Sequence, residues 1–103
     1  MVLLKRGEFM IYVVCTNKLE EKDVPIFMEA AIEHAKMSKE VDEGCIAFDI
    51  SEYNEEDKEI VFFERWENKE CLEKHASRCK GLALLDVLNK SRFDKSLKIY
   101  EIV

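Results

Sequence analysis

Two histidines are the side chains of this 103-residue chain best suited to moving a proton at neutral pH. His75 shares a run with Leu72, Ala76 and Cys79 at three- and four-residue spacing, so a helix would point it along its apolar face. We predict His75 to be a general base. The competing interpretation is a helix histidine satisfied by a backbone or carboxylate neighbour. His34 lies beside another apolar stripe, and we predict a surface or rim position for it.

Asn17 is the second candidate for chemistry. It is the one polar side chain on the face that alternation gives to Ile11, Val13 and Cys15 in a predicted strand from Phe9 to Leu19. Its amide could donate a hydrogen bond to an oxygen of a bound ligand. The alternative is an ordinary polar residue at a strand end.

Trp66, Cys79 and Phe27 are the predicted substrate-binding residues. Trp66 ends a strand, where a large aromatic side chain more often belongs to the core, and Cys79 could simply pack as a small hydrophobic group. The four cysteines form no CxxC pair and the two histidines have no zinc-finger spacing, so we predict reduced thiols and no metal. We predict surface or dimer ion pairs for Glu64 and Arg65.

The elements that must position these residues follow from periodicity and capping. The segment from Gly44 to Trp66 predicts a β-hairpin with an acidic, solvated tip, and Gly44 can take a positive φ before it. Asp23 is expected to cap a first helix that ends near Val41, with Pro25 in its first turn. Further along, Asn68 is expected to cap a second helix, Gly81 separates it from a short third helix, and residues 96–103 form a last strand.

This order predicts an α+β fold of the ferredoxin-like, split βαβ type, with the helices on one face of the sheet. The other face would carry Cys45, Ala47, Val61 and Phe63 uncovered, and exposed apolar patches of that kind usually bind a partner. We therefore predict a homodimer formed sheet against sheet.

Composition limits the class of protein. The net charge of -6 disfavours nucleic acid as a partner, since phosphate binding relies on clustered Lys and Arg. The start of the chain has too short an apolar run for a secretory signal or membrane span, so we expect a cytoplasmic protein without a membrane partner. Residues 1–8 are predicted to be an N-terminal tail and residues 9–103 the single domain.

The runs GCIAFDI and FFERWENKECLEKH, with Trp66 and His75 nine residues apart, resemble the antibiotic biosynthesis monooxygenase (ABM) family, which includes quinol monooxygenases. The resemblance implies an ABM-like domain and a dimeric α/β barrel, with a ligand chamber between helices and sheet in each protomer. Relatives in the quinol branch commonly carry a second histidine where this chain has Cys79.

The resemblance and the candidate residues together predict a cofactor-independent monooxygenase that oxidises a quinol, phenol or polyketide-like aromatic with O2. His75 would be the base and Asn17 would orient the substrate oxygen. A dimeric ligand-binding or stress-response module without turnover is the alternative from another class. An isomerase of a small phosphorylated sugar is a third interpretation, for which Lys74, Arg78 and Lys80 are the nearby cations.

Overall fold

A computed structural model describes residues 8–103. The predicted tail therefore lies almost wholly outside the described residues. The elements, in chain order, are β1 (Met10–Lys18), a 3-10 turn (Glu21–Asp23), α1 (Val24–Val41), β2 (Cys45–Ile50), β3 (Glu59–Trp66), α2 (Lys69–Cys79), α3 (Ala83–Ser91) and β4 (Asp94–Ile102). No helix among these residues is both long enough and apolar enough to cross a bilayer.

The four strands form one antiparallel sheet in the order β2-β3-β1-β4. The first and third strands in the chain are neighbours at the centre, which is the arrangement of the split βαβ fold. The predicted α+β, ferredoxin-like fold is confirmed.

The inner face of the sheet carries the core because strand side chains alternate between faces. Along β1, Ile11, Val13, Cys15 and Asn17 are all buried, as alternation predicts. The helix α1 buries a stripe at three- and four-residue spacing that includes Phe27, whose ring stacks on Phe62 of β3 at 5.8 Å between centroids.

Two local expectations near the helix ends have different outcomes. Asn68 caps α2 as predicted, since its side chain accepts a hydrogen bond from the backbone N–H of Cys71 at 3.0 Å. The predicted cap at Asp23 is wrong. Its side chain makes no capping bond and instead pairs with Lys22, because the 3-10 turn already places Asp23 in a helical conformation.

The outer face of the sheet is less apolar at one position than predicted. The pairing of β2 with β3 shifts register between Cys45 and Ala47, so Cys45 lies opposite Trp66 while Ala47 lies opposite Arg65. This bulge turns Cys45 toward the core, where it is half-buried, and the prediction that it faces outward is wrong. Ala47, Val61 and Phe63 do lie on the outer face. Across the sheet, Ala47 lies opposite Arg65, which is in register with Tyr12 and with the exposed Tyr100 of β4.

Gly44 offers a test of how tightly the hairpin packs on α2. It has a φ of +77°, and a Cβ built there would lie 2.4 Å from Sγ of Cys71. Gly81 has nearly the same φ, +76°, and a Cβ built there would have no atom of the described residues 8–103 within 4 Å. We expect Gly44→Ala to cost about 2 to 5 kcal/mol of unfolding free energy, and Gly81→Ala only about 1 to 2 kcal/mol, because only Gly44 adds a steric clash to the backbone penalty. Urea unfolding of both variants measures the difference, and equal losses would contradict it.

Candidate functional site

A cavity of about 180 Å³ lies between the inner face of the sheet and helices α2 and α3. Most of its wall is apolar, supplied by residues such as Phe62, Leu85 and Leu88. Half of the lining residues could do chemistry, namely Cys15, His34, Glu64, His75, Cys79, Arg92 and Lys95. An apolar space with a few convergent polar groups is typical of small-molecule sites.

His75 is held by a carboxylate on its far side. Its Nδ1 lies 2.6 Å from Oδ2 of Asp42, the residue that follows α1. The same carboxylate accepts two hydrogen bonds from Arg78, one from Nε and one from an Nη at 2.8 Å, so it is gripped in the two-pronged way that suits Arg and carboxylate. With Nδ1 engaged, Nε2 is the ring nitrogen left for a ligand.

Electrostatics favour a neutral His75 beside an ionised Asp42. Burial lowers the pKa of His75 below its usual value, and the hydrogen bond to Asp42 only partly opposes this effect. Burial raises the pKa of Asp42, but the bonds from Arg78 and His75 outweigh it and leave the carboxyl more acidic than usual. An ionised Asp42 accepting from Nδ1–H therefore leaves a neutral imidazole with a basic Nε2.

Glu64 is a second acid–base group, and its predicted position in a surface ion pair is wrong. Its side chain points inward because alternation along β3 puts it on the same face as Phe62 and Trp66, and it is buried. The indole Nε1 of Trp66 donates to its Oε1 at 3.0 Å. Burial raises the pKa of Glu64 to about 7, since the bond from Trp66 and the nearby charge of Lys95 lower it by less. Arg65 faces outward over the ring of Tyr12.

Asn17 is fully buried beside the cavity and is saturated by protein groups. Its amide nitrogen donates to the carbonyls of Ile60 at 3.0 Å and Cys15 at 3.3 Å, and its oxygen accepts from Arg92 at 2.7 Å. Arg92, just after α3, lines the cavity. Asn17 therefore affects the cavity indirectly, by positioning the guanidinium of Arg92.

His34, His75 and Cys79 meet on one wall of the cavity. His34 is buried, so the predicted surface or rim position is wrong. The stripe on α1 is wide enough to include it, and its ring lies 5.4 Å from that of His75 and edge-on to Phe48. Each of the three can offer one ligand atom with all three atoms within 4.8 Å of one another, so these are residues that could hold a metal ion.

The other two predicted binding residues lie behind the cavity wall. Phe27 is fully buried and touches the site through Phe62. Trp66 is also fully buried, and its ring packs against that of His75 at 4.5 Å between centroids. Cys79 does line the cavity, 3.8 Å from both ring nitrogens of His75, and burial raises the pKa of its thiol.

Comparison with known proteins places this chain in one family. The chain matches the antibiotic biosynthesis monooxygenase family over residues 10–79, which is more than half of its length. The chain belongs to this family, and its general function is therefore monooxygenase-like. No match was found among curated proteins.

Solved structures share the fold over nearly the whole chain. A conserved protein of unknown function from Bacteroides thetaiotaomicron, for which an oxidoreductase role has been suggested, is 24% identical and superposes with a TM-score of 0.82 over 93% of this chain and 100% of its own. A proposed antibiotic biosynthesis monooxygenase from Nitrosomonas europaea is 18% identical, with a TM-score of 0.81 over 98% and 96%. Another, from Caulobacter crescentus, is 16% identical, with a TM-score of 0.80 over 95% and 93%. At these identities the likeness establishes the fold.

Proposed function

We propose that the protein is a cofactor-independent monooxygenase that oxidises a quinol, phenol or polyketide-like aromatic with O2. The observation that carries the proposal is the Asp42–His75 pair at the wall of a largely apolar cavity, where Nε2 of His75 has the weak partner Sγ of Cys79 at 3.8 Å. A carboxylate that holds Nδ1–H fixes the tautomer in which Nε2 accepts a proton. Family membership supports the same reaction class.

The first step is removal of a proton from the substrate by Nε2 of His75, since O2 reacts readily only with an electron-rich anion. The anion passes one electron to O2, and the two radicals combine to form a C–O–O⁻ bond at a carbon that still carries hydrogen. His75 returns its proton to the peroxide, the O–O bond breaks, and the carbon loses its hydrogen as a proton. The net reaction adds one oxygen atom to form a carbonyl and releases the other as water.

The negative charge that forms on the substrate oxygen needs a donor in a dry site. We assign this role to Arg92, which lines the cavity, and assign to Asn17 the positioning of Arg92 through their 2.7 Å hydrogen bond. The sequence-based role of Asn17 in orienting the substrate oxygen is thus proposed to act through the guanidinium.

The size of the cavity suggests how a substrate would enter. A space of roughly 150 Å³ accommodates one benzene ring, so about 180 Å³ suits a single reacting ring. A groove of about 580 Å³ between α2 and β4 shares Leu72, Ala76 and Leu97 with the cavity. We propose that further rings or an apolar tail of the substrate lie in this groove.

The observed charges weigh against the phosphorylated-sugar isomerase. Lys74 pairs with the exposed carboxylates of Glu43 and Glu70, and Arg78 is committed to Asp42. The cations that do line the cavity, Arg92 and Lys95, share it with the carboxyl of Glu64, which would repel a phosphate whenever it is ionised. The ligand-binding module without turnover remains the alternative outcome of the test below.

We also propose that the protein acts in the cytoplasm as a homodimer formed through the outer face of the sheet. All four cysteines are free, which suits a reducing compartment. The outer face presents Phe63 at 36%, Tyr100 at 48% and Ile102 at 44% exposure, an apolar surface that a second copy would cover.

Light scattering is expected to give about twice the 12.1 kDa mass of the chain. Phe63→Glu should yield the monomer, because it would bury a charge in the interface. Ile32→Glu is the matched control, since Ile32 is an exposed apolar residue on α1, away from the sheet. A monomeric wild-type protein at micromolar concentration would rule out the dimer.

Oxygen uptake by the metal-stripped protein tests the proposed reaction. The panel would contain hydroquinones, simple phenols and anthrone-like tricyclic phenols, each with its uncatalysed rate subtracted. Consumption of one O2 per molecule of product is the expected result. Tight binding of panel members without uptake would favour the non-catalytic module instead.

A further inference from the structure

His34, His75 and Cys79 form one wall of the cavity, and the proposed acid–base chemistry uses only His75 of the three. His75 and Cys79 are four residues apart on α2, so they share one side of that helix, and His34 faces them from α1. Two imidazoles and one thiol converge here from two helices, and all three side chains are buried. Nitrogen and sulfur are the ligand atoms that Zn²⁺ prefers.

The separations of the three ligand atoms approach those around a bound metal ion. The three ligand atoms lie within 4.8 Å of one another, and Sγ of Cys79 is 3.8 Å from either ring nitrogen of His75. A tetrahedral Zn²⁺ with bonds of about 2.0 to 2.3 Å would set these atoms roughly 3.3 to 3.8 Å apart. Metal binding would require the side chains of His34 and Cys79 to turn toward Nε2 of His75 and close the difference.

The hydrogen bonds around His75 resemble those that usually orient a metal-binding histidine. A histidine that binds zinc commonly donates its other ring N–H to a carboxylate, which fixes the ring and its tautomer. Asp42 provides this for His75 and is itself held by Arg78. The ligand atom of His75 would therefore be Nε2. The adjoining cavity leaves room for a water molecule as the fourth ligand.

We propose that His34, His75 and Cys79 bind one Zn²⁺ ion and that the bound metal inhibits the oxygenase. Inhibition follows because Nε2 of His75 would bind the metal and no longer accept a proton from the substrate. Binding would release the Cys79 thiol proton to solvent, since the thiolate is the ligand form. The inhibitory role rests on the proposed oxygenase function. Zn²⁺ binding does not depend on whether the protein converts a substrate.

Co²⁺ titration of the full-length, metal-stripped protein tests the site directly. A thiolate-to-cobalt charge-transfer band should appear, saturate at one equivalent and disappear when Zn²⁺ is added. Cys79→Ser should remove the band, and His34→Gln should weaken Co²⁺ binding by at least tenfold. Cys71→Ser is the matched control, because Cys71 is buried on the same helix but packs beside Gly44. The charge-transfer band of this variant should be the same as that of the wild-type protein.

Circular dichroism would establish that each variant is folded before its titration is interpreted. A band that persists in Cys79→Ser, or that Cys15→Ser abolishes instead, would overturn the assignment, as would the lack of saturable binding in the wild-type protein. If a quinol substrate is found, Zn²⁺ should abolish uptake at one equivalent in the wild-type protein. Turnover that persists with the site fully loaded would overturn the inhibitory role while leaving the oxygenase proposal intact.

Discussion

Replacing His75 by Gln is expected to lower kcat by about 10²- to 10⁴-fold, the usual contribution of a positioned general base. Gln keeps a polar group of similar length that can still bond to Asp42 but cannot accept the substrate proton. Substrate binding should change little, because the other lining residues, including Arg92, stay in place. Steady-state oxygen uptake with the best member of the panel, together with direct binding, separates the two effects.

Two further variants make this result specific. Asp42→Asn should lower kcat by a smaller factor, since it leaves the imidazole in place but weakens the control of its tautomer. His75→Ala opens a space in which added imidazole should restore part of the rate. Ser77→Ala, on the exposed side of α2, is the control. Full activity in a folded His75→Gln protein would contradict the role of His75 as the base.

Replacing Glu64 by Gln is expected to stabilise the folded protein by about 3 kcal/mol at pH 8. The pKa of Glu64 is about 7 in the fold against 4.5 for a free glutamate, and each pKa unit corresponds to about 1.4 kcal/mol. Between these two values the folded protein holds a proton that the unfolded chain has lost, so stability falls as pH rises. Below about pH 4.5 both states are protonated and the effect disappears.

Urea unfolding of the wild-type and Glu64→Gln proteins at pH 5 and pH 8, at equal protein concentration, measures this dependence. The variant should gain clearly at pH 8 and little at pH 5, while Trp66 still donates to the amide oxygen that replaces Oε1. Glu67→Gln, an exposed neighbour just past β3, should change stability by less than about 0.5 kcal/mol at either pH. A loss of stability in Glu64→Gln at pH 8 would mean that the ionised carboxylate has a partner that stabilises it.

Periodicity in the sequence was sufficient to predict the sheet, the helices and the inward position of His75. Strand alternation also predicts the inward position of Glu64, because it falls between Phe62 and Trp66 on one face, but the charge of the residue argued for the surface. Cys45 could not be placed, since the bulge that turns it inward depends on pairing with β3. Local patterns fix local elements and leave such tertiary adjustments open.

The parts of the site that sequence reasoning missed depend on contacts between distant segments. Asp42 lies 33 residues before His75, just past the end of a helix, where nothing local marks it as a partner. Arg92 meets Asn17 across 75 residues of chain. Their roles could be recognised only when α1, α2 and the end of α3 were placed around one cavity.

The most direct test of the proposed monooxygenase is to run the reaction under ¹⁸O2 and determine the mass of the product by mass spectrometry. The metal-stripped protein, with the panel member that consumes most oxygen, should give a carbonyl product that carries one ¹⁸O atom, with the second atom in water. His75→Gln should give the unlabelled substrate back at the same time point. A product formed without ¹⁸O, with H2O2 accumulating instead, would make the protein an oxidase and contradict the oxygen-transfer step on which the account depends.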